Sequence, residues 1–264
     1  MDNNIFKTNV IKTIESFFEG FGINPVSGIL SKTKKASKWR YAGYPHIGDQ
    51  FADQKHRVVI VGADLGVDEL GIGEFKHFNT YLRFDRIDNI RDTCKKDRLP
   101  GFNKCNAHMA GTYATVIYLL KDGPTKELFE RIKDSRTARI AMTKLSDRCA
   151  ETDIIPFFAM TNVHKFVTVG REGRSGDENR RWVDSDKEFE FLKAELLALK
   201  PTTVVFQEPK VGNLNNNQIE DLKKALKGCT IVRLLHPSTR KKGGYQLYED
   251  IVQKINEAST QSSL

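Results

Sequence analysis

The chain has few cysteines, and they are scattered along the sequence. Among its 264 residues there are four, which are Cys94, Cys105, Cys149 and Cys229. No C-x-x-C pair occurs, whereas zinc and iron–sulfur sites need clustered thiolates. We therefore expect reduced thiols, no metal and no other cofactor.

Long apolar runs are also missing. No stretch approaches the roughly 18 residues that a membrane-spanning helix needs. The first residues do not combine a basic segment with an apolar one, as a signal peptide does. These absences predict a cytoplasmic protein that makes no contact with a membrane.

Two nucleotide-binding signatures are absent from the glycine-rich stretch at residues 62–73. No G-x-G-x-x-G opens a helix directly after the preceding strand, and no G-x-x-x-x-G-K-[ST] is present. The glycines therefore do not indicate a dinucleotide site or a P-loop.

The charge balance is basic. Lys and Arg number 42 against 34 Asp and Glu, which gives a net charge of +8 and a pI near 9.2. A basic surface favours a polyanionic partner such as nucleic acid, although it also serves solubility alone. Hydrophobic residues make up 39% of the chain, so one α/β domain with a full core is the simplest organisation.

The spacing of apolar residues predicts strands that alternate with helices. Predicted strands cover residues 58–61, 154–160, 202–207 and 230–235. Predicted helices cover residues 5–18, 109–120, 125–144, 186–199, 217–226 and 244–258. This order predicts a three-layer α/β/α fold around a mostly parallel, four-stranded central sheet.

The same pattern divides the chain into three segments. Residues 1–50 are predicted to form an amphipathic helix and a basic loop packed on the domain, with residues 24–51 irregular. Residues 51–258 form the main domain, which contains a long insertion at residues 67–105, and residues 259–264 form a flexible tail.

Three polar motifs stand where predicted strands end. They are Gly62-Ala63-Asp64-Leu65-Gly66, Thr161-Asn162-Val163-His164-Lys165 and His236-Pro237-Ser238. Ligands of open α/β sheets bind outside the carboxyl ends of the strands. We therefore expect Asp64, Asn162 and His236 to converge on one site.

These motifs, in this order and with Leu199-Lys200-Pro201 before the third strand, resemble the uracil-DNA glycosylase superfamily over residues 56–257. The resemblance implies a uracil-DNA glycosylase-like fold. It also implies a monofunctional DNA glycosylase that hydrolyses the N-glycosidic bond of uracil or a related deaminated base in base excision repair. The target base must leave the stack before the enzyme can reach it.

The resemblance also implies roles for individual residues. Cleavage builds positive charge on the sugar and negative charge on the departing base, so a carboxylate and a hydrogen-bond donor are needed. Asp64 would activate or orient water, and His236 would donate to a uracil carbonyl oxygen. The amide of Asn162 would read the base edge beside Gly62 and Ala63. An aromatic shelf for the base is expected, with Phe102 as the choice among Phe78, Phe84 and Phe102.

The predicted DNA contacts follow the second and third motifs. They are Lys165, Ser238, Arg240, Lys241 and Lys242. The expected partner is DNA, single- or double-stranded, bound by a monomer.

Other interpretations stay open. A member of the superfamily that binds nucleic acid or a modified base without catalysis would carry the same motifs, and Leu65, where Pro is usual, favours it. A nucleotide or nucleoside hydrolase on a similar sheet is a third possibility. Asp64 and Asn162 could simply cap turns, and His108 at a helix start could be structural.

Overall fold

The computed structural model of the chain describes residues 2–25, 28–30, 39–41, 43–62, 107–135, 154–168, 185–208, 214–237, 239–241 and 244–261. Its helices are α1 (Asn3–Glu15), α2 (Phe18–Phe21), α3 (Ala107–Leu119), α4 (Lys126–Ile132), α5 (Ser185–Leu199), α6 (Asn216–Ala225) and α7 (Tyr248–Gln261). Its strands are β1 (Trp39–Tyr41), β2 (His46–Ile47), β3 (Val58–Gly62), β4 (Ala159–Asn162), β5 (Phe166–Thr168), β6 (Thr203–Glu208), β7 (Thr230–Leu235), β8 (Arg240–Lys241) and β9 (Gly244–Tyr245).

The protein has an α/β fold with a five-stranded mixed sheet in the order β2-β4-β3-β6-β7. Strand β3 pairs in parallel with β4 and β6, and β6 pairs in parallel with β7. Strand β2 joins the outer edge of β4 in the antiparallel direction. Strands β1 and β5 form a separate antiparallel pair, as do β8 and β9.

Helices cover both faces of the sheet, which is why its central strand β3 is apolar throughout. All five residues of β3 are buried. Val59 and Val61 belong to the apolar cluster formed with α1, α5 and α6. Val58 and Ile60 belong to the cluster formed with α3 and α7. Successive side chains along a strand thus enter different layers.

The predicted four-stranded sheet is wrong in number, because residues 24–51 are not irregular throughout. They contain β1 and β2, and β2 extends the sheet. A strand of two residues is too short for alternation to reveal in the sequence. Its place is fixed instead by pairing, since Gly48 donates from its backbone nitrogen to the Phe158 oxygen at 3.0 Å.

Two predicted element boundaries are also wrong. Residues Ile155–Phe157, predicted as strand, form a 3₁₀ turn with Pro156 in its first turn, and the strand begins at Ala159. Proline has no N–H to donate to a ladder and fixes φ near a helical value. The last helix begins at Tyr248 rather than at residue 244, because Gly244–Tyr245 pairs with β8. It continues to Gln261, so residues 259–261, predicted as part of a flexible tail, are helical.

Of the helix predicted over residues 125–144, the structure describes Lys126–Ile132 and a 3₁₀ turn at Lys133–Ser135. Residues 136–144 lie outside the described residues, as does the insertion at residues 67–105.

Gly48 fits only without a side chain. A Cβ atom there would stand 2.2 Å from the carbonyl oxygen of Pro156, and the contact is with backbone that cannot swing away. We predict that Gly48→Ala destabilises the protein by about 1–3 kcal/mol, the usual cost of overpacking. Urea unfolding would measure this loss.

Gly20→Ala is the matched control, because a Cβ atom at helical Gly20 has nothing within 4 Å. Alanine is favoured over glycine in a helix, so this variant should be as stable as the wild type or slightly more stable. Equal stability of the two variants would contradict the predicted clash.

Candidate functional site at the carboxyl edge of the sheet

Asn162 and Gly62 end neighbouring parallel strands and lie opposite each other in register. Two residues earlier, Met160 and Ile60 pack in the layer that contains α3. Because side chains alternate along a strand, Asn162 faces the same α3 side of the sheet.

The amide of Asn162 leans over Gly62. A Cβ atom at Gly62 would be 2.6 Å from Oδ1 of Asn162, so a larger residue there would require the Asn162 side chain to move. Asn162 is 2% exposed, and the backbone nitrogen of the following Val163 donates to the Gly62 oxygen at 2.9 Å. The amide is thus held in a defined place at the end of the central strands.

Gln207 lies on the other side of Gly62. Phe206 pairs with Val61, so the same register sets Gln207 opposite Gly62. Its side chain is 1% exposed and faces α3, where its Nε2 donates to Oγ1 of Thr112 at 2.9 Å. Asn162 and Gln207 thus stand two strand spacings apart, about 10 Å, with a residue that has no side chain between them.

His236 follows β7 directly, and its backbone is tied on both sides. Its nitrogen donates to the Glu208 oxygen at 2.6 Å, and its oxygen accepts from Nε2 of Gln246 at 2.9 Å and from the Thr239 nitrogen at 2.8 Å. Its ring lies against the ring of His108, with centroids 4.4 Å apart and planes at 32°. The site thus contains two adjacent imidazoles.

Hydrogen bonds select the tautomer of His108. The hydroxyl of Thr112 donates to the His108 oxygen at 2.9 Å and therefore accepts from the Gln207 amide nitrogen. The Gln207 Oε1 then faces Nε2 of His108 at 3.0 Å, and because Oε1 can only accept, Nε2 carries the proton. The other ring nitrogen, Nδ1, is left as an acceptor in the neutral ring.

His108 is neutral over the physiological range. Burial is the main cause that lowers its pKa to about 4, and the charge of a protonated His236 lowers it further, whereas the bond to Gln207 acts in the opposite direction. Helix α3 therefore brings to this edge a half-buried imidazole that resists a second proton.

Lys165 does not occupy the place that its predicted role requires. Its side chain is fully buried, and its Nζ lies 3.2 Å from both carboxylate oxygens of Glu195. The predicted contact of Lys165 with DNA phosphate is therefore inconsistent with this structure. An ammonium group inside the layer between β4 and α5 cannot reach a backbone phosphate.

The remaining predicted residues are only partly covered. Arg240 and Lys241 form β8, close in sequence to His236. Five others lie outside the described residues, and these are Ala63, Asp64, Phe102, Ser238 and Lys242. The edge therefore brings Asn162, Gly62 and His236 to one side of the sheet, with Asp64 two residues beyond Gly62.

Sequence reasoning missed Gln207 and Thr112 and left His108 as structural. One signal was present, because Gln207 is a polar residue directly after the apolar run at residues 204–206 of β6. The partners could not be read from the chain, since Gln207 is 99 positions from His108 and 95 from Thr112.

Within the described ranges, no group of three or more His, Cys, Asp or Glu side chains is placed to hold a metal ion. Among the helices described, none has the length and apolar character to cross a membrane. In comparisons with known proteins, no family model, curated protein or solved structure matches the chain. A functional assignment therefore depends on the site residues themselves.

The lowered pKa of His108 makes stability depend on pH in a defined window. The unfolded chain takes up the proton near pH 6.5, whereas the folded protein does so near pH 4. Stability should therefore fall as the pH drops from 6.5 to 4. In His108→Gln this fall should be smaller, as measured by urea unfolding at several pH values.

His56→Gln, which removes an exposed imidazole, is the matched control. Stability curves of His108→Gln and wild type with the same slope between pH 4 and 6.5 would show that His108 is not held neutral by the fold.

Proposed function

We propose that the protein is a DNA glycosylase that hydrolyses the N-glycosidic bond of uracil or a related deaminated base. The observation that carries the proposal is the shared face of Asn162, Gln207 and His236 at the carboxyl edge of parallel strands. Such an edge is where α/β proteins bind small planar ligands.

Asn162 supports recognition of uracil. A side-chain amide offers one acceptor and a pair of donors, which match the N3–H and O4 of uracil. Cytosine presents the opposite pattern and would leave buried polar groups unpaired, which costs about 1–3 kcal/mol for each group. A buried amide fixed over Gly62 is preorganised for this discrimination.

His236 supports catalysis of base departure. Negative charge develops on the base oxygens as the bond breaks, and a donor placed there stabilises the transition state. The backbone of His236 is tied to Glu208 and Gln246, and its ring is packed against His108. A fixed imidazole needs little reorganisation when the charge appears.

Asp64 completes the proposed reaction. It follows Gly62 by two residues, and Gly62 ends the strand between Asn162 and Gln207. In the proposal its carboxylate orients the attacking water and faces the positive charge on the sugar. No lysine nucleophile is assigned, so the products are a free base and an abasic site.

DNA is the proposed partner, and the net charge of +8 supports it. Arg240 and Lys241 come soon after His236, so basic residues follow the proposed site along the chain. A base inside a duplex is out of reach of a sheet edge. The target must therefore be rotated out of the stack or offered in a single strand.

A protein that binds nucleic acid or a modified base without cleaving it is the second candidate. Leu65, at the position where the resemblance leads us to expect Pro, favours this candidate. Such a protein would use Asn162 for recognition and make no abasic site.

We predict that the wild type converts a labelled oligonucleotide with one uracil into alkali-labile product, and that both Asp64→Asn and His236→Ala lower the rate. Loss of a transition-state donor costs about 10²–10³ in rate, so a loss of at least about tenfold is expected. Hypoxanthine and xanthine substrates test related deaminated bases in the same assay.

Asp122→Asn and His56→Ala are matched controls at exposed positions and should keep the wild-type rate. If the wild-type protein binds these oligonucleotides and makes no alkali-labile product from any of them, the proposed glycosylase activity is wrong. That result would favour a protein that binds without catalysis.

A further inference from the structure

Lys165, in the short connection between β4 and β5, is held in a buried ion pair. Its ammonium group contacts both carboxylate oxygens of Glu195 at 3.2 Å and donates to Oγ1 of Thr161 at 2.9 Å. Lys165, Glu195 and Thr161 are each 0% exposed. No phosphate or other solvent-borne group can be the partner of this lysine.

A second carboxylate of α5 holds the same segment. Glu188 is 2% exposed and accepts from the backbone nitrogen of Lys165 at 2.6 Å. Its other oxygen lies 3.1 Å from Nδ1 of His164. Glu188 thus fixes the main chain at the point where Glu195 fixes the side chain.

The spacing of Glu188 and Glu195 explains how one helix can hold both the main chain and the side chain of Lys165. Seven residues are about two turns of an α-helix, so Glu188 and Glu195 lie on the same side of α5. Together with Lys165, His164 and Thr161 they form what we call the α5 clamp. The clamp holds the chain from Thr161, near the end of β4, to Lys165, directly before β5.

The clamp lies across the sheet from the proposed site. Thr161 pairs with Val61 and faces the α5 layer, whereas the next residue, Asn162, faces α3. The backbone of Asn162 is thus anchored on one side through Thr161 and on the other through Lys165. The backbone of Val163, bonded to Gly62, is a third anchor.

A gain in folding stability does not by itself explain the buried ion pair of Lys165 and Glu195. Removing two charges from water costs several kcal/mol per ion, and a well-packed apolar pair is often as stable or more stable. What buried polar groups do supply in some proteins is a unique arrangement, since alternatives leave a charge unpaired. The segment that this pair arranges is the one that carries Asn162.

Gly43, from the N-terminal part of the chain, packs against the side chain of Lys165. A Cβ atom at Gly43 would be 2.6 Å from Cδ of Lys165 and 3.0 Å from its Cβ, so the backbone of residue 43 rests on the lysine stem. Tyr41, also fully buried, lies beside the same point. Dry surroundings strengthen the attraction between Lys165 and Glu195.

We propose that Lys165 and Glu195 are positioning residues, which set the amide of Asn162 for base recognition through Thr161 and the loop that follows. The inference rests on the proposed function and deepens it. Lys165 acts from behind the sheet, so its loss should change base discrimination and leave contacts with the DNA backbone unchanged.

The test replaces the pair with apolar residues of similar size, Lys165→Met with Glu195→Leu, so that no buried charge is left alone. The probe is a single-stranded oligonucleotide with 2′-fluoro-2′-deoxyuridine, whose bond resists hydrolysis because fluorine opposes positive charge on the sugar. The matching probe carries cytosine. Fluorescence anisotropy gives the affinity for each.

We expect the double variant to unfold cooperatively and to lose at least about tenfold in its preference for uracil over cytosine, and we expect the same loss for Asn162→Ala. Its affinity for the cytosine probe should stay at the wild-type value, because phosphate contacts are untouched. Thr161→Val removes the hydroxyl acceptor of Lys165 and keeps its ion pair with Glu195. It should give a smaller loss, and it tests the clamp if the double variant does not fold.

The double variant Glu220→Leu with Lys223→Met is the matched control, since it removes an exposed ion pair on α6. If the wild type prefers uracil and both the double variant and Thr161→Val keep that preference, the clamp does not position Asn162. If the wild type itself shows no preference, the proposed recognition of uracil is wrong and the inference fails with it.

Discussion

The parallel register of β4, β3, β6 and β7 is the constraint on which the site depends. It sets Gly62 between Asn162 and Gln207 and turns both amides toward α3. A shift of one residue in β4 would turn the amide of Asn162 toward α5 and bring Thr161 to the α3 face. The apolar residues that precede the site therefore do more than fill a core, because their alternation decides which polar groups meet.

Buried polar groups need hydrogen-bond or ionic partners, and each face of this sheet has a separate network that provides them. On the α3 face, Gln207 links Thr112 to His108. On the α5 face, Glu195 neutralises Lys165. Both networks join residues far apart in sequence, so neither survives a local rearrangement. This rigidity suits the proposed function, in which the site would distinguish bases by the direction of one hydrogen bond.

The long apolar strands could be predicted from sequence, whereas short and paired elements could not. Strand β7 has the predicted bounds, β3 is one residue longer than predicted, and β6 is shifted by one residue at each end. These strands could be predicted because β-branched runs bounded by polar residues leave little choice. Strand β2 is too short for periodicity to reveal and exists because β4 offers an edge. Asn162 and His236 could be placed at the edge by motif, but Lys165 could not be placed, since its burial depends on Glu195 thirty residues away.

The two imidazoles limit the charge that the proposed site can carry. Protonation of either ring opposes protonation of the other, and His108 is the ring that burial keeps neutral. At neutral pH His108 is therefore the uncharged ring of the pair. In the proposed reaction His236 donates to the departing base, and the contact with His108 fixes its ring. Because Gln207 and Thr112 fix His108 in turn, the placement of the His236 ring depends on β6 and α3 as much as on the strand that carries it.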